Sequence, residues 1–139
     1  MKILILEDSG SIYESFNDYA KENNMEFIKA NKISAANDVF NDQKKYIDLI
    51  LVDLNVLPSG LLPNEVDQTD GGKLSGWIWL KNYVLTEDIS WRNKIIIYSE
   101  YVTVLKDKIS RGELLGIELM EKSKHSIEDV IKTIKAKDR

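Results

Sequence analysis

Residues 2–8, KILILED, and residues 46–55, YIDLILVDLN, are two apolar runs that each close on carboxylates: Glu7 and Asp8 in the first, Asp53 in the second. A continuous Ile/Leu/Val run of this length predicts a strand buried on both faces, as in a parallel sheet with helices on either side. Such sheets bind ligands at the carboxyl ends of their strands. If the two strands lie side by side, Glu7, Asp8 and Asp53 converge in one crevice, where three negative charges repel unless a cation sits among them. The pattern points to an acidic metal pocket.

Outward from these runs the elements alternate. After a strand over 2–7, Ser9 or Ser11 can cap a helix that places Ile12, Phe16 and Ala20 on one face. A short strand over 25–29 follows, and Ser34 is expected to open a second helix with Ala35, Ala36, Val39 and Phe40 inward. The third strand is expected over 46–53. Residues 54–75 then hold both prolines, and four of the seven glycines lie in or just beyond them, which predicts a long loop. A helix from Gly76 to about Leu85 comes next, with Trp77, Leu80 and Tyr83 or Val84 facing the core and Ile78 and Trp79 toward the edge. Strand 94–98, a helix near 102–109 and strand 117–121 follow. The last helix carries the clearest signal, a capping-box pair Ser126/Asp129 followed by Ile127, Val130, Ile131 and Ile134 at helical spacing. Five strands alternating with five helices predict an α/β fold with a doubly wound parallel sheet. The flavodoxin-like order 2-1-3-4-5 sets the first and third strands side by side.

Composition narrows the function. The chain of 139 residues suits one domain over 1–139, with 43% apolar and 30% charged residues and no low-complexity segment. No cysteine is present, which rules out disulfides, thiolate metal sites and a thiol nucleophile. The first apolar run is too short for a membrane span and lacks the flanks of a signal peptide, so a cytoplasmic location with no membrane partner is expected. A net charge of −4 leaves no electrostatic footprint for direct nucleic-acid binding.

Two further polar residues stand at expected strand ends: Ser99 after IIIY and Lys122 after IELME. Taken singly, each is an ordinary loop hydroxyl or surface lysine, and each acid is a solvated strand terminus. The ordered set Glu7-Asp8, Asp53, Ser99 and Lys122 resembles the receiver domain of two-component response regulators over essentially the whole chain. The resemblance implies Asp53 as phosphoacceptor, Asp8 as a direct Mg²⁺ ligand, Glu7 as a ligand through water and Asn55 as a ligand through its backbone carbonyl. It implies that Ser99 and Lys122 contact a phosphoryl oxygen. A histidine kinase or phosphotransfer protein would be the donor, and a protein contacted by docking would receive the signal. The chemistry is consistent: a carboxylate attacking an anionic phosphoryl group needs its repulsion screened, and Mg²⁺ takes oxygen ligands in that task.

The sequence also departs from that pattern. The glycine opening the third helix usually comes soon after the acceptor strand, whereas here it is Gly76, so residues 57–74 look inserted. Glu100 stands where a small residue is usual, Leu119 replaces the usual aromatic three residues before the lysine, and Ser123 replaces the usual proline after it. Tyr101 occupies a position that in receivers influences phosphoryl lifetime, and slow hydrolysis is expected. The one histidine, His125, precedes a helix cap and is expected to be exposed without a role. These departures keep open a pseudo-receiver, an interaction module that does not switch by phosphorylation. An Mg²⁺-dependent phosphohydrolase is disfavoured because the haloacid dehalogenase type needs an acid two residues after its nucleophile, where Asn55 stands. The chain is therefore not expected to be an enzyme.

Overall fold

In the computed structural model, which describes residues 1–138, five strands form one sheet in the order β2-β1-β3-β4-β5, every pairing parallel. The elements are β1 Lys2–Leu6, α1 Gly10–Ala20, β2 Glu26–Ala30, α2 Ile33–Gln43, β3 Leu49–Val52, α3 Pro63–Val66, α4 Ser75–Trp79, β4 Ile95–Ser99, α5 Val102–Lys108, β5 Glu118–Glu121 and α6 Ile127–Lys137. This is the doubly wound order expected, with strand limits shifted by one to three residues. Pleating explains why the runs are apolar throughout. Leu4, Leu6, Ile50 and Val52 pack into a core with α2, α4 and α5, while Ile3, Ile5, Leu49 and Leu51 pack into a second core with α1 and α6. No described helix is long and apolar enough to cross a membrane.

Local signals hold at both ends of the chain. Ser9 caps α1, its hydroxyl accepting from the Ile12 amide, and Ser126 and Asp129 form the expected reciprocal box at the start of α6. The second helix differs from expectation. It starts at Ile33, with Lys32 in the cap position and no side-chain cap. The Ile33 and Ser34 amides donate instead to the carbonyls of Leu57 and Ser59, at 3.2 and 2.6 Å, so a distant loop satisfies groups that a hydroxyl would otherwise serve.

The helix expected from Gly76 also differs. Its α-helical turn at Ser75–Trp79 passes into a π-helical turn at Leu80–Val84, closed by the Leu85 amide on the Leu80 carbonyl at 2.8 Å. Ile78 and Trp79 are buried and do not lie at the edge. Trp79 meets Phe40 of α2 edge to face and donates from its indole nitrogen to Asn37 Oδ1 at 3.2 Å, so α2 covers the side that helical spacing alone leaves open. Gly76 brings this helix onto β3: a Cβ there would lie 2.5 Å from the Asp53 carbonyl oxygen and 2.7 Å from Val52 Cγ1.

Residues 57–74 are not structureless. They contain α3, and the Glu65 carboxylate, only 6% exposed, accepts from Tyr83 Oη at 2.6 Å, Asn82 Nδ2 at 2.7 Å and the Leu62 amide at 2.8 Å. Burial alone would raise its pKa, but these three donors outweigh burial and lower it. The π-helical turn presents Asn82 and Tyr83 together to this one carboxylate. Asp70 adds an ion pair to Lys108 of α5 at 2.8 Å.

Candidate functional site

Parallel pairing of β1 with β3 carries Glu7 and Asp8 beside Asp53, because each residue follows the last paired position of its strand. Oxygens of the three carboxylates lie within 4.8 Å of one another. Glu7 and Asp53 are buried, whereas Asp8 is exposed. The all-oxygen donor set suits a hard divalent cation such as Mg²⁺. Asn55 lines the same cavity of about 270 Å³, and its backbone amide donates to Asp53 Oδ1 at 3.4 Å.

Lys122 reaches this group from the end of β5. Its Nζ donates to Glu7 Oε1 at 2.7 Å and Asp53 Oδ2 at 3.3 Å, and its backbone amide donates to the Ser99 carbonyl at 3.1 Å. Burial, reinforced by the negative charge of Asp53, raises the Glu7 pKa from 4.5 to about 7 against the opposing pull of Lys122. For Lys122 burial acts downward, and the charges of Asp53 and Glu7 outweigh it, so its pKa rises. Two buried carboxylates with one ammonium leave an excess of negative charge that a proton on Glu7, or a metal ion, can neutralise.

Ser99 ends β4 and is fully buried, its hydroxyl accepting from the Tyr101 amide at 3.2 Å. Glu100 and Tyr101 line the cavity itself. The structure thus brings Glu7, Asp8, Asp53, Asn55 and Lys122 into one cavity and sets Ser99 behind its rim. His125 stands apart, paired with Asp129 at 3.6 Å and accepting at its backbone carbonyl from Tyr98 Oη at 2.7 Å.

Sequence reasoning missed two contributors. Ser9, identified only as a possible cap, also donates its amide to Glu7 Oε2 at 3.1 Å. Tyr98 sets its ring 5.8 Å from the Lys122 ammonium, a cation–π contact. The Ser9 contact was foreseeable, since a carboxylate two residues before a helix start can fold back on a free amide. The Tyr98 contact depends on β4 and β5 pairing and has no local signal.

No protein-family model matches the sequence, and no curated protein does. Solved structures share the fold. The receiver domain of a response regulator from Clostridium thermocellum is 18% identical, with 98% of this chain and 92% of that chain covered at a TM-score of 0.69. The receiver domain of a Francisella response regulator is 21% identical, with 98% and 94% covered and a TM-score of 0.64. A Mn²⁺-bound form of the response regulator Rcp1 is 19% identical, with 97% and 89% covered and a TM-score of 0.61. At these identities the likeness establishes the fold that this chain shares with receiver domains.

Proposed function

We propose that the chain is a phosphorylatable receiver of a two-component or phosphorelay system, with Asp53 as phosphoacceptor and Mg²⁺ as cofactor. The observation that carries this reading is the position of the Lys122 ammonium between Glu7 and Asp53, beside Asp8, at the carboxyl ends of three strands. An Asp53 carboxylate oxygen attacks the phosphorus of a phosphohistidine on a histidine kinase or phosphotransfer protein. The P–O bond forms as the P–N bond breaks, and the electron pair leaves with the imidazole nitrogen. Mg²⁺ held by Glu7, Asp8, Asp53 and the Asn55 carbonyl would screen the repulsion between carboxylate and phosphoryl group. Lys122 exchanges its contact with Asp53 for one with a phosphoryl oxygen, supplying a charge-assisted hydrogen bond.

Ser99 couples this event to the surface. Its hydroxyl accepts from the Tyr101 amide and keeps a proton to donate to a phosphoryl oxygen, so a shift toward that oxygen draws on Tyr101, which directly precedes α5. Moving residues 99–101 therefore moves the start of a helix, the kind of local change that biases a two-state surface for docking of an output protein. On this reading residues 57–74 are an insertion within a single receiver-like domain over 1–139. The protein works in the cytoplasm and acts without catalytic turnover.

A second reading is favoured by the buried Ser99 and by Glu100 at the cavity wall: a pseudo-receiver that binds partners without switching by phosphorylation. Intact-protein mass after incubation with a small-molecule phosphodonor and Mg²⁺ separates the two. A single phosphoryl adduct that is absent from Asp53→Asn and from metal-free protein supports the receiver. No adduct despite Mg²⁺ binding supports the pseudo-receiver, and sustained release of phosphate would instead mean a phosphohydrolase.

A further inference from the structure

Lys122 leaves β5 at the edge of the sheet, yet its ammonium acts on the ends of β1 and β3. β5 and β3 are two strand spacings apart, about 10 Å, with β4 between them. A four-carbon stem has many rotamers, and holding one of them costs entropy unless a neighbour shapes its path. Tyr98 of β4 stands on that path.

Pleating sends Tyr98 to the face of the sheet that carries α1 and α6, where it is buried with its ring edge to face against Phe16 at 6.0 Å. Tyr98 pairs in register with Met120, and Lys122 follows two residues on, so the pleat brings the lysine stem toward the ring. The ammonium lies over that ring at 5.8 Å from its centroid. The far end of the same side chain holds backbone, since Tyr98 Oη donates to the His125 carbonyl at 2.7 Å. Residues 121–125 turn there, the Lys124 and His125 amides both donating to the Glu121 carbonyl at 3.0 Å. Residues 122–125 are Lys-Ser-Lys-His, without a proline to fix the turn, and the closing contact comes from the neighbouring strand. A tyrosine placed only to fill the core needs neither contact, because its ring packs on Phe16 wherever Lys122 points.

We propose that Tyr98 is the positioning residue of Lys122, its ring bearing the ammonium and its hydroxyl closing the turn that carries it. On the receiver reading, on which this inference rests for its effect on phosphorylation, an ammonium so held meets the arriving phosphoryl oxygen without a search among rotamers.

Tyr98→Phe removes the hydroxyl and keeps the ring on Phe16, so the variant retains the fold. The Lys122 ε-methylene resonances, identified by their loss in Lys122→Met, are expected upfield of ordinary lysine in the wild type because the ammonium lies over the ring. In Tyr98→Phe they should move back toward the ordinary position as the turn loosens. With acetyl phosphate and Mg²⁺, Tyr98→Phe should take up label about fivefold more slowly, the factor that one net hydrogen bond represents. Added to Lys122→Met, the same substitution should slow labelling no further. Tyr98 loses this role if the wild-type Lys122 resonances sit with the other lysines, or if Tyr98→Phe labels at the wild-type rate. Equal slowing of Lys122→Met overturns it as well, as a purely structural tyrosine requires. A wild type that takes no label overturns the receiver reading instead, and the Lys122 resonances then decide the positioning alone.

Discussion

The Lys122 ammonium lies 2.7 Å from Glu7 Oε1, joining residues 115 positions apart in the chain, and the same ammonium meets Asp53 at 3.3 Å. It is the cation that lets two acids share a buried space in the metal-free protein.

Replacing Lys122 with Met leaves Glu7 and Asp53 facing each other with no counter-charge. Near pH 8 the metal-free variant is expected to lose about 3 kcal/mol of stability, as when one partner of a buried ion pair is removed. Mg²⁺ should restore more stability to the variant than to the wild type. Urea unfolding with and without Mg²⁺ measures both effects, and an unchanged midpoint in the metal-free variant would contradict the proposed charge balance.

The raised pKa of Glu7 sets a direction with pH. The folded protein retains a proton that the unfolded chain has released, so the metal-free protein loses stability as pH rises from 4.5 to about 7. Over that window the contribution is roughly 3 kcal/mol at most. In Glu7→Gln, which keeps the shape and cannot ionise, this part of the slope disappears. Chemical denaturation at a series of pH values, in chelator, tests the difference between the two proteins.

Gly76→Ala is expected to destabilise by several kcal/mol, beyond the usual ~1–3 kcal/mol of overpacking, because the contact is with backbone that cannot rotate away. The new Cβ would stand 2.5 Å from the Asp53 carbonyl, so Mg²⁺ affinity should fall together with stability. Calorimetric titration with Mg²⁺ on the folded fraction reads the second effect. A variant of normal stability would refute the close approach of helix and strand.

Glu65→Ala removes the acceptor of three donors and leaves Tyr83 Oη and Asn82 Nδ2 facing an apolar side chain. The cost should be about 1–3 kcal/mol. Hydrogen exchange should accelerate in residues 57–74 and leave α6 unaffected. Uniform acceleration across the chain would show that the segment is not a separately anchored unit.

Tyr101 lines the acidic cavity and precedes α5. If Asp53 carries the phosphoryl group, the ring limits water at the acyl phosphate, so Tyr101→Ala should lose its label several-fold faster than the wild type. Equal decay measured by intact mass would remove Tyr101 from that role.

The sequence by itself determined the sheet and the strand-end acids. Uninterrupted Ile/Leu/Val in 3–6 and 49–52 leaves no solvent face for either strand, so both must be central, and the acids that follow must emerge at the same edge. The caps at Ser9 and Ser126 were legible for a similar reason, since donor and acceptor lie within three residues of each other. Only the tertiary structure decided that loop carbonyls rather than Ser34 would serve the start of α2, and that Trp79 would be buried against Phe40. The π-helical turn that gathers Asn82 and Tyr83 on Glu65 belongs to the same class, as does the retreat of Ser99 behind the cavity rim. Each of these joins groups whose pairing depends on which elements pack together. Hydropathy and spacing report whether a side chain must leave water, whereas the partner that satisfies its polar atoms is chosen by long-range packing.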